Sequence, residues 1–176
     1  MAWAALFVGA CSSQIAILPA DGGPTEMDGG VPALTLEERI VASTEALLRA
    51  EQAHYGRLWR CSGLDEDRVA LGQENVALST REFTSCMESA VAGDVAFREE
   101  LADLLACYAE GAEIAEACTA VAECSTDEFN RCRFAYRCVP QLCEGVLPPA
   151  MLDLVFTCGD PDVVGTQGGL RLSNCD

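Results

Sequence analysis

The chain contains no lysine. All 11 of its basic residues are arginine, set against 28 acids, for a formal charge of −17. Such a field repels a polyanion at long range, and counterion release requires a basic face. Nucleic acid is therefore excluded as a partner, and bare anionic lipid is disfavoured as a docking surface. The acidity itself reads as solubility. Aromatic residues make up only 6% of the chain although 50% of it is apolar. Much of that apolar total is alanine and cysteine, which bury little area each, so the expected core is thin and calls for covalent staples or a partner. No apolar run reaches the roughly 20 residues that a spanning helix needs. The first run, residues 1 to 10, is followed after Cys11 by Ser12, Ser13 and Gln14.

Catalytic motifs are scarce as well. His54 is the only histidine, which removes every mechanism that needs two, the His-Glu-x-x-His zinc site included. It falls mid-helix between Ala53 and Tyr55 and reads as a helix-face or interface residue. Neither a Gly-x-Ser-x-Gly nucleophile elbow nor a Cys-x-x-Cys redox motif is present. Zinc favours paired ligands at short spacing, and only Cys138-x4-Cys143 has it, with His54 remote in sequence, so no metal and no cofactor is expected. Carboxylate pairs arise by chance among so many acids, and none stands out. No catalytic residue is assigned.

What the chain does have is cysteine, 11 residues in all. Ten lie in the body: Cys61, Cys86, Cys107, Cys118, Cys124, Cys132, Cys138, Cys143, Cys158 and Cys175. An even set in an exported chain reads as disulfides, here five, with about 945 pairings open. Each bridge typically contributes about 2 to 4 kcal/mol, comparable to the whole stability of a thin-cored domain.

The eleventh cysteine stands apart. Residues 1 to 10 form an uncharged apolar run that ends on small residues, as a secretory h-region does, and Val8-Gly9-Ala10-Cys11 resembles a lipobox. That resemblance implies cleavage before Cys11, a diacylglycerol on its thiol and a second acylation at its new amine. The alternatives are cleavage after Ala20 and an unprocessed chain. Lipidation leaves an even number of thiols in the body, which favours the anchor. From Ala20 to Pro32 two Asp-Gly-Gly repeats and two prolines describe a flexible tether. Ser12 differs from the aspartate that retains enteric lipoproteins at the inner membrane.

Helix punctuation organises the rest. Thr35-Leu36-Glu37-Glu38 is a capping box, and Leu36, Ile40, Leu47 and Leu58 share a face with Val41, Leu48 and Tyr55 beside it, which predicts a helix to about residue 60 that Gly63 ends. Residues 64 to 78, weakly periodic and holding Gly72, read as loop with at most a short helix. Ser79-Thr80-Arg81-Glu82 reads as a second capping box, opening a helix with Phe83, Cys86 and Met87 inward that Gly93 closes. Asp94 caps a third helix, with Phe97, Leu101, Leu104, Leu105 and Tyr108 inward. Gly111 ends or interrupts it before Ile114, Cys118 and Val121 resume the pattern. Ser125-Thr126-Asp127-Glu128 is the third box, opening a helix with Phe129, Cys132 and Tyr136 that stops before Pro140.

The expected fold is therefore all-α, a small disulfide-rich bundle of about four to five helices with an irregular stapled C-terminal tail. Four segments follow: a signal peptide at 1–10, a lipid-anchored tether at 11–34, the helical body at 35–143 and the tail at 144–176. In the tail Val163-Val164 and Leu170-Arg171-Leu172 are candidate strands of a small hairpin. Phe156-Thr157-Cys158-Gly159-Asp160 resembles the opening of an LDL-receptor class A module, a likeness that carries no functional residues with it.

Arg131, Arg133 and Arg137 are the one local inversion of charge. Guanidinium forks bind carboxylates bidentately, so these three are the candidate partner-binding residues. The plainer reading is neutralisation of Glu123, Asp127 and Glu128. Lipobox, tether and cysteine-studded alanine-rich helices, with arginine in place of lysine, together resemble the uncharacterised cysteine-rich lipoproteins of GC-rich soil bacteria. The resemblance implies a cell-envelope location, with outer-membrane anchoring expected and secretion the alternative, and it brings no activity. The expected role is a non-enzymatic module that binds an envelope protein or surface and meets the membrane through Cys11. A hydrolase using carboxylates near His54 or the arginines is one alternative. A calcium-stabilised module using Asp160, Asp162 and Asp176 is another.

Overall fold

The fold begins at a reciprocal cap. In the computed structural model, which describes residues 33–145 and 147–159, the Thr35 hydroxyl accepts from the Glu38 amide at 3.3 Å and the Glu38 carboxylate accepts from the Thr35 amide at 2.8 Å. Two orphan donors of the helix start are thereby satisfied. Helix α1 runs from this cap over Leu36–Cys61 and buries Ile40, Leu47, Ala50, His54 and Gly56. Gly63, at φ 80°, then turns the chain through a conformation that a side chain disfavours.

Helix α2, Glu66–Val91, is continuous. The loop expected over 64–78 is mostly helix, and Ser79-Thr80-Arg81-Glu82 lies in its interior and starts nothing. The cap is Asp65, whose carboxylate accepts from the Arg68 amide at 2.9 Å. Thr80 sits 2.9 Å from the Val76 carbonyl one turn back, a mid-helix bonding pattern. Gly72 is no break either: a Cβ there would come within 2.5 Å of the Trp59 ring. The glycine lets α1 and α2 approach.

Asp94 caps helix α3, Val95–Val121, by accepting from the Phe97 amide at 3.1 Å. This helix passes through Gly111, against expectation, and the reason is again packing. A Cβ at 111 would lie 2.5 Å from Val139 Cγ1. Helix α4 spans Asp127–Glu144, and its cap is Thr126, one residue later than the start of the sequence box. The Thr126 hydroxyl accepts from the Phe129 amide at 3.1 Å. Pro140 does not stop α4; it forgoes one backbone donor, in a helix fixed on either side of it by bonded Cys138 and Cys143.

The tail is less irregular than expected, because helix α5, Pro149–Cys158, begins on a proline whose fixed φ suits a first helical turn. The candidate hairpin residues lie outside the described residues. Among those described there is no strand, and the five helices belong to the unit Leu34–Asp176.

Helix α1 packs on α3 and α2, α4 packs on α3, and α5 packs on α2. Buried Ala50, Ala102, Ala109 and Ala112 keep side-chain bulk low in the main core, which fills with Ile40, Phe83, Met87, Leu101, Leu105 and Met151. A smaller core gathers Phe129 and Cys132 with Leu58, Cys61 and Cys118. Disulfides supply what small side chains cannot. Cys118–Cys132 and Cys107–Cys143 join α3 to α4, Cys61–Cys124 ties the end of α1 to the α3–α4 turn, and Cys86–Cys158 ties α2 to α5. Even the shortest loop, with a separation of 14 residues, is stabilised by about 3 kcal/mol in the chain-entropy account.

Candidate functional site

Glu51, His54 and Tyr55 fall at i, i+3 and i+4 of α1 and so share one face. The other three long helices each bring a polar group to it. From α4, the Tyr136 hydroxyl donates to Glu51 Oε1 at 2.7 Å. From α2, Thr80 Oγ1 lies 2.5 Å from Glu51 Oε2. From α3, Thr119 Oγ1 lies 3.3 Å from His54 Nδ1. The imidazole stacks on Tyr136 with ring centroids 4.2 Å apart, Tyr55 stands edge-on to both rings, and Trp59 stacks on Tyr55.

Burial sets the protonation states. It raises the Glu51 carboxyl above its ordinary range, against the opposing pull of the Thr80 and Tyr136 hydroxyls. A hydroxyl has one hydrogen, and Thr80 faces both the Val76 carbonyl and Glu51. A protonated Glu51 donating to Thr80 would satisfy both contacts, in keeping with that upward shift. A parallel pair lies nearby, where the Tyr108 hydroxyl donates to Glu144 Oε1 at 2.7 Å and burial again raises the carboxyl. Tyr108 and Tyr136 are both held well above the usual tyrosine range, first by burial. Burial lowers His54 to about 4, the Ala115 carbonyl opposes, and the charge of Arg133 adds to the depression. The imidazole is neutral at pH 7.

This cluster ties helices together and keeps its imidazole away from solvent. His54 and Thr119 are both 0% exposed, and His54 Nε2 is buried with no hydrogen-bond partner. A general base must reach a substrate proton directly or through one water. Glu51 and His54 have a spacing that suits paired metal ligands in helical bundles. Among the described residues, however, no group of three His, Cys, Asp or Glu side chains is placed to hold a metal ion.

The three arginines singled out in the sequence lie exposed on α4. Arg131 Nε donates to the Asp127 carbonyl at 3.3 Å. Among the described residues none of the three forms an ion pair, so neutralisation by Glu123, Asp127 and Glu128 does not occur as direct contacts. The ion pairs are elsewhere: Arg39 with Asp103, Arg60 with Glu66, Arg68 with Asp65 and Arg98 with Glu37. Arg133 and Arg137 instead place their fields on Tyr55. Cys138 is disulfide-bonded along with the eight cysteines paired above. Cys11, Cys175, Asp160, Asp162 and Asp176 lie outside the described residues.

Sequence reasoning missed Glu51, Tyr136, Thr80 and the Tyr108–Glu144 pair. Glu51 was within reach, since it shares a helical face with His54. Its hydroxyl partners come from other helices and leave no local signature. Among the described residues no helix is long and apolar enough to cross a membrane. No protein-family model, curated protein or solved structure matches the chain.

Proposed function

We propose that the protein is an exported cell-envelope lipoprotein, a non-enzymatic module that binds a protein or surface partner. Acyl chains on Cys11 hold it at the membrane, with the outer membrane as destination, and disulfides keep it folded there. The observation that carries this reading is the state of the thiols. Cys61, Cys86, Cys107, Cys118, Cys124, Cys132, Cys138, Cys143 and Cys158 are all disulfide-bonded, and bridges at this density persist in oxidising compartments. Val8-Gly9-Ala10-Cys11 supplies a processing site, and two or more acyl chains anchor firmly where one binds only reversibly.

Binding is favoured over catalysis because His54 and its nearest hydroxyl, Thr119, are enclosed, and because Glu51 is already engaged by Tyr136 and Thr80. The test is a Cys11→Ala variant compared with the wild type in cells fed labelled palmitate. The expected result is a labelled wild type in the membrane fraction and an unlabelled variant, still folded, released from it. An unlabelled wild type, or a variant that partitions unchanged, would reject the anchor.

A further inference from the structure

We infer that Arg133 and Arg137, with Phe134 beside them, form the contact surface for an acidic segment of a protein partner, each guanidinium taking a side-chain carboxylate. This rests on the reading of the protein as a binding module and adds the chemistry of the partner. Ten of the eleven arginines lie among the described residues. Four are ion-paired. Arg57 donates to the Thr119 and Ala122 carbonyls, and Arg131 to that of Asp127. Arg49 and Arg81 stand singly on α1 and α2. Of the arginines with neither an ion pair nor a carbonyl partner among the described residues, only Arg133 and Arg137 are neighbours on a helix, one turn apart at i and i+4. This occurs in a chain where acids outnumber bases 28 to 11.

Two like charges one turn apart on a helix repel each other. Among the described residues no carboxylate pairs with them, and Tyr55 and the neutral His54, which the charge of Arg133 reaches, carry no counter-charge. Glu51, on the same face of α1, is held by Tyr136 and Thr80. Both arginines are exposed, and a carboxylate meets such a guanidinium bidentately. Phe134, 37% exposed next to Arg133, adds an aromatic anchor, and arginine with an aromatic ring is the composition of interface hot spots. A short acidic segment fits this patch better than a membrane does, because the remaining surface of a −17 chain repels an extended anionic plane.

The test is an NMR titration of the full chain with a glutamate-rich peptide carrying one leucine, with a lysine-rich peptide of equal length and phosphatidylglycerol vesicles as comparisons. The expected result is shifts centred on residues 133 to 137 with the acidic peptide alone. Affinity should weaken by at least about tenfold in R133E/R137E and in high salt. R133Q/R137Q, which removes the charges without reversing them, should weaken it less and controls for misfolding. Absence of binding at millimolar peptide, shifts elsewhere on the body, or an affinity unchanged in both variants would overturn the inference. Preferential binding to vesicles would overturn it in favour of a lipid surface. Each of these failures would leave the palmitate-labelling result at Cys11 untouched.

Discussion

The Tyr136 hydroxyl donates to Glu51 Oε1 at 2.7 Å, a bond that joins α4 to α1 across 85 residues of sequence. Helix α4 packs on α3, so this contact gives it a second attachment. Removing the donor leaves a desolvated carboxyl with Thr80 alone. Tyr136→Phe is expected to lower stability by about 1 to 3 kcal/mol, whereas Glu51→Gln, whose amide keeps an acceptor for Tyr136 and a donor for Thr80, should cost less. Urea unfolding of both variants measures the difference.

The same carboxyl shapes the pH dependence. Burial raises Glu51 and Glu144 above 4.5 in the folded state, so the folded chain holds these protons more tightly than the unfolded chain. Their contribution is fully present below 4.5 and is lost as pH rises through the folded values. Unfolding at several pH values should show this loss in the wild type, a smaller loss in Glu51→Gln and none from this source in Glu51→Gln/Glu144→Gln.

His54 acts with the opposite sign. Its folded pKa is lowered from 6.5 to about 4, so the unfolded chain binds its proton more readily between those values and stability falls as pH drops through that window. The full effect is about 3 kcal/mol. As the only histidine, it gives a single imidazole resonance, and NMR titration should find it neutral down to about pH 5. A midpoint near 6.5 would mean that the ring is hydrated.

Gly111 and Val139 make the α3–α4 contact testable. A Cβ at 111 would lie 2.5 Å from a Val139 methyl, and a β-branched side chain has little freedom to turn away. Overpacking costs about 1 to 3 kcal/mol, offset by up to about 1 kcal/mol of helix propensity. Gly111→Ala should therefore be destabilising in the wild type. It should be clearly less destabilising in a Val139→Ala background, where only the 3.2 Å approach to the Cβ of residue 139 remains, as a double-mutant cycle of thermal unfolding would show.

These glycines also explain which parts of the fold could be read in advance. Thr35 with Glu38 and Asp94 with Phe97 are local devices, fixed by residues three apart, and both stood out in the sequence. Gly72 and Gly111 looked like breaks because their purpose, room for Trp59 and Val139, depends on other helices. Ser79 to Glu82 mimicked a helix start because the pattern records no tertiary context, and in the fold Thr80 faces Val76 and Glu51. Pro140 misled for the same reason. For the site, His54 was visible and its enclosure was not, since burial is contributed by α3 and α4.

Disulfide connectivity tests the proposed anchor. Eight bonded cysteines pair among themselves and Cys138 is bonded too. The proposed acylation of Cys11 withdraws that thiol, so Cys175 is the expected partner of Cys138. Non-reducing peptide mapping should recover a Cys138–Cys175 cross-link, and a Cys11–Cys138 cross-link would contradict the anchor directly.

The most direct measurement is the intact mass of the protein extracted from membranes, taken before and after reduction and alkylation. The expected result is a chain beginning at acylated Cys11, with no alkylated thiol before reduction and all ten body cysteines alkylated after it. A full-length, unacylated chain whose cysteines alkylate without reduction would contradict both the anchor and the staples.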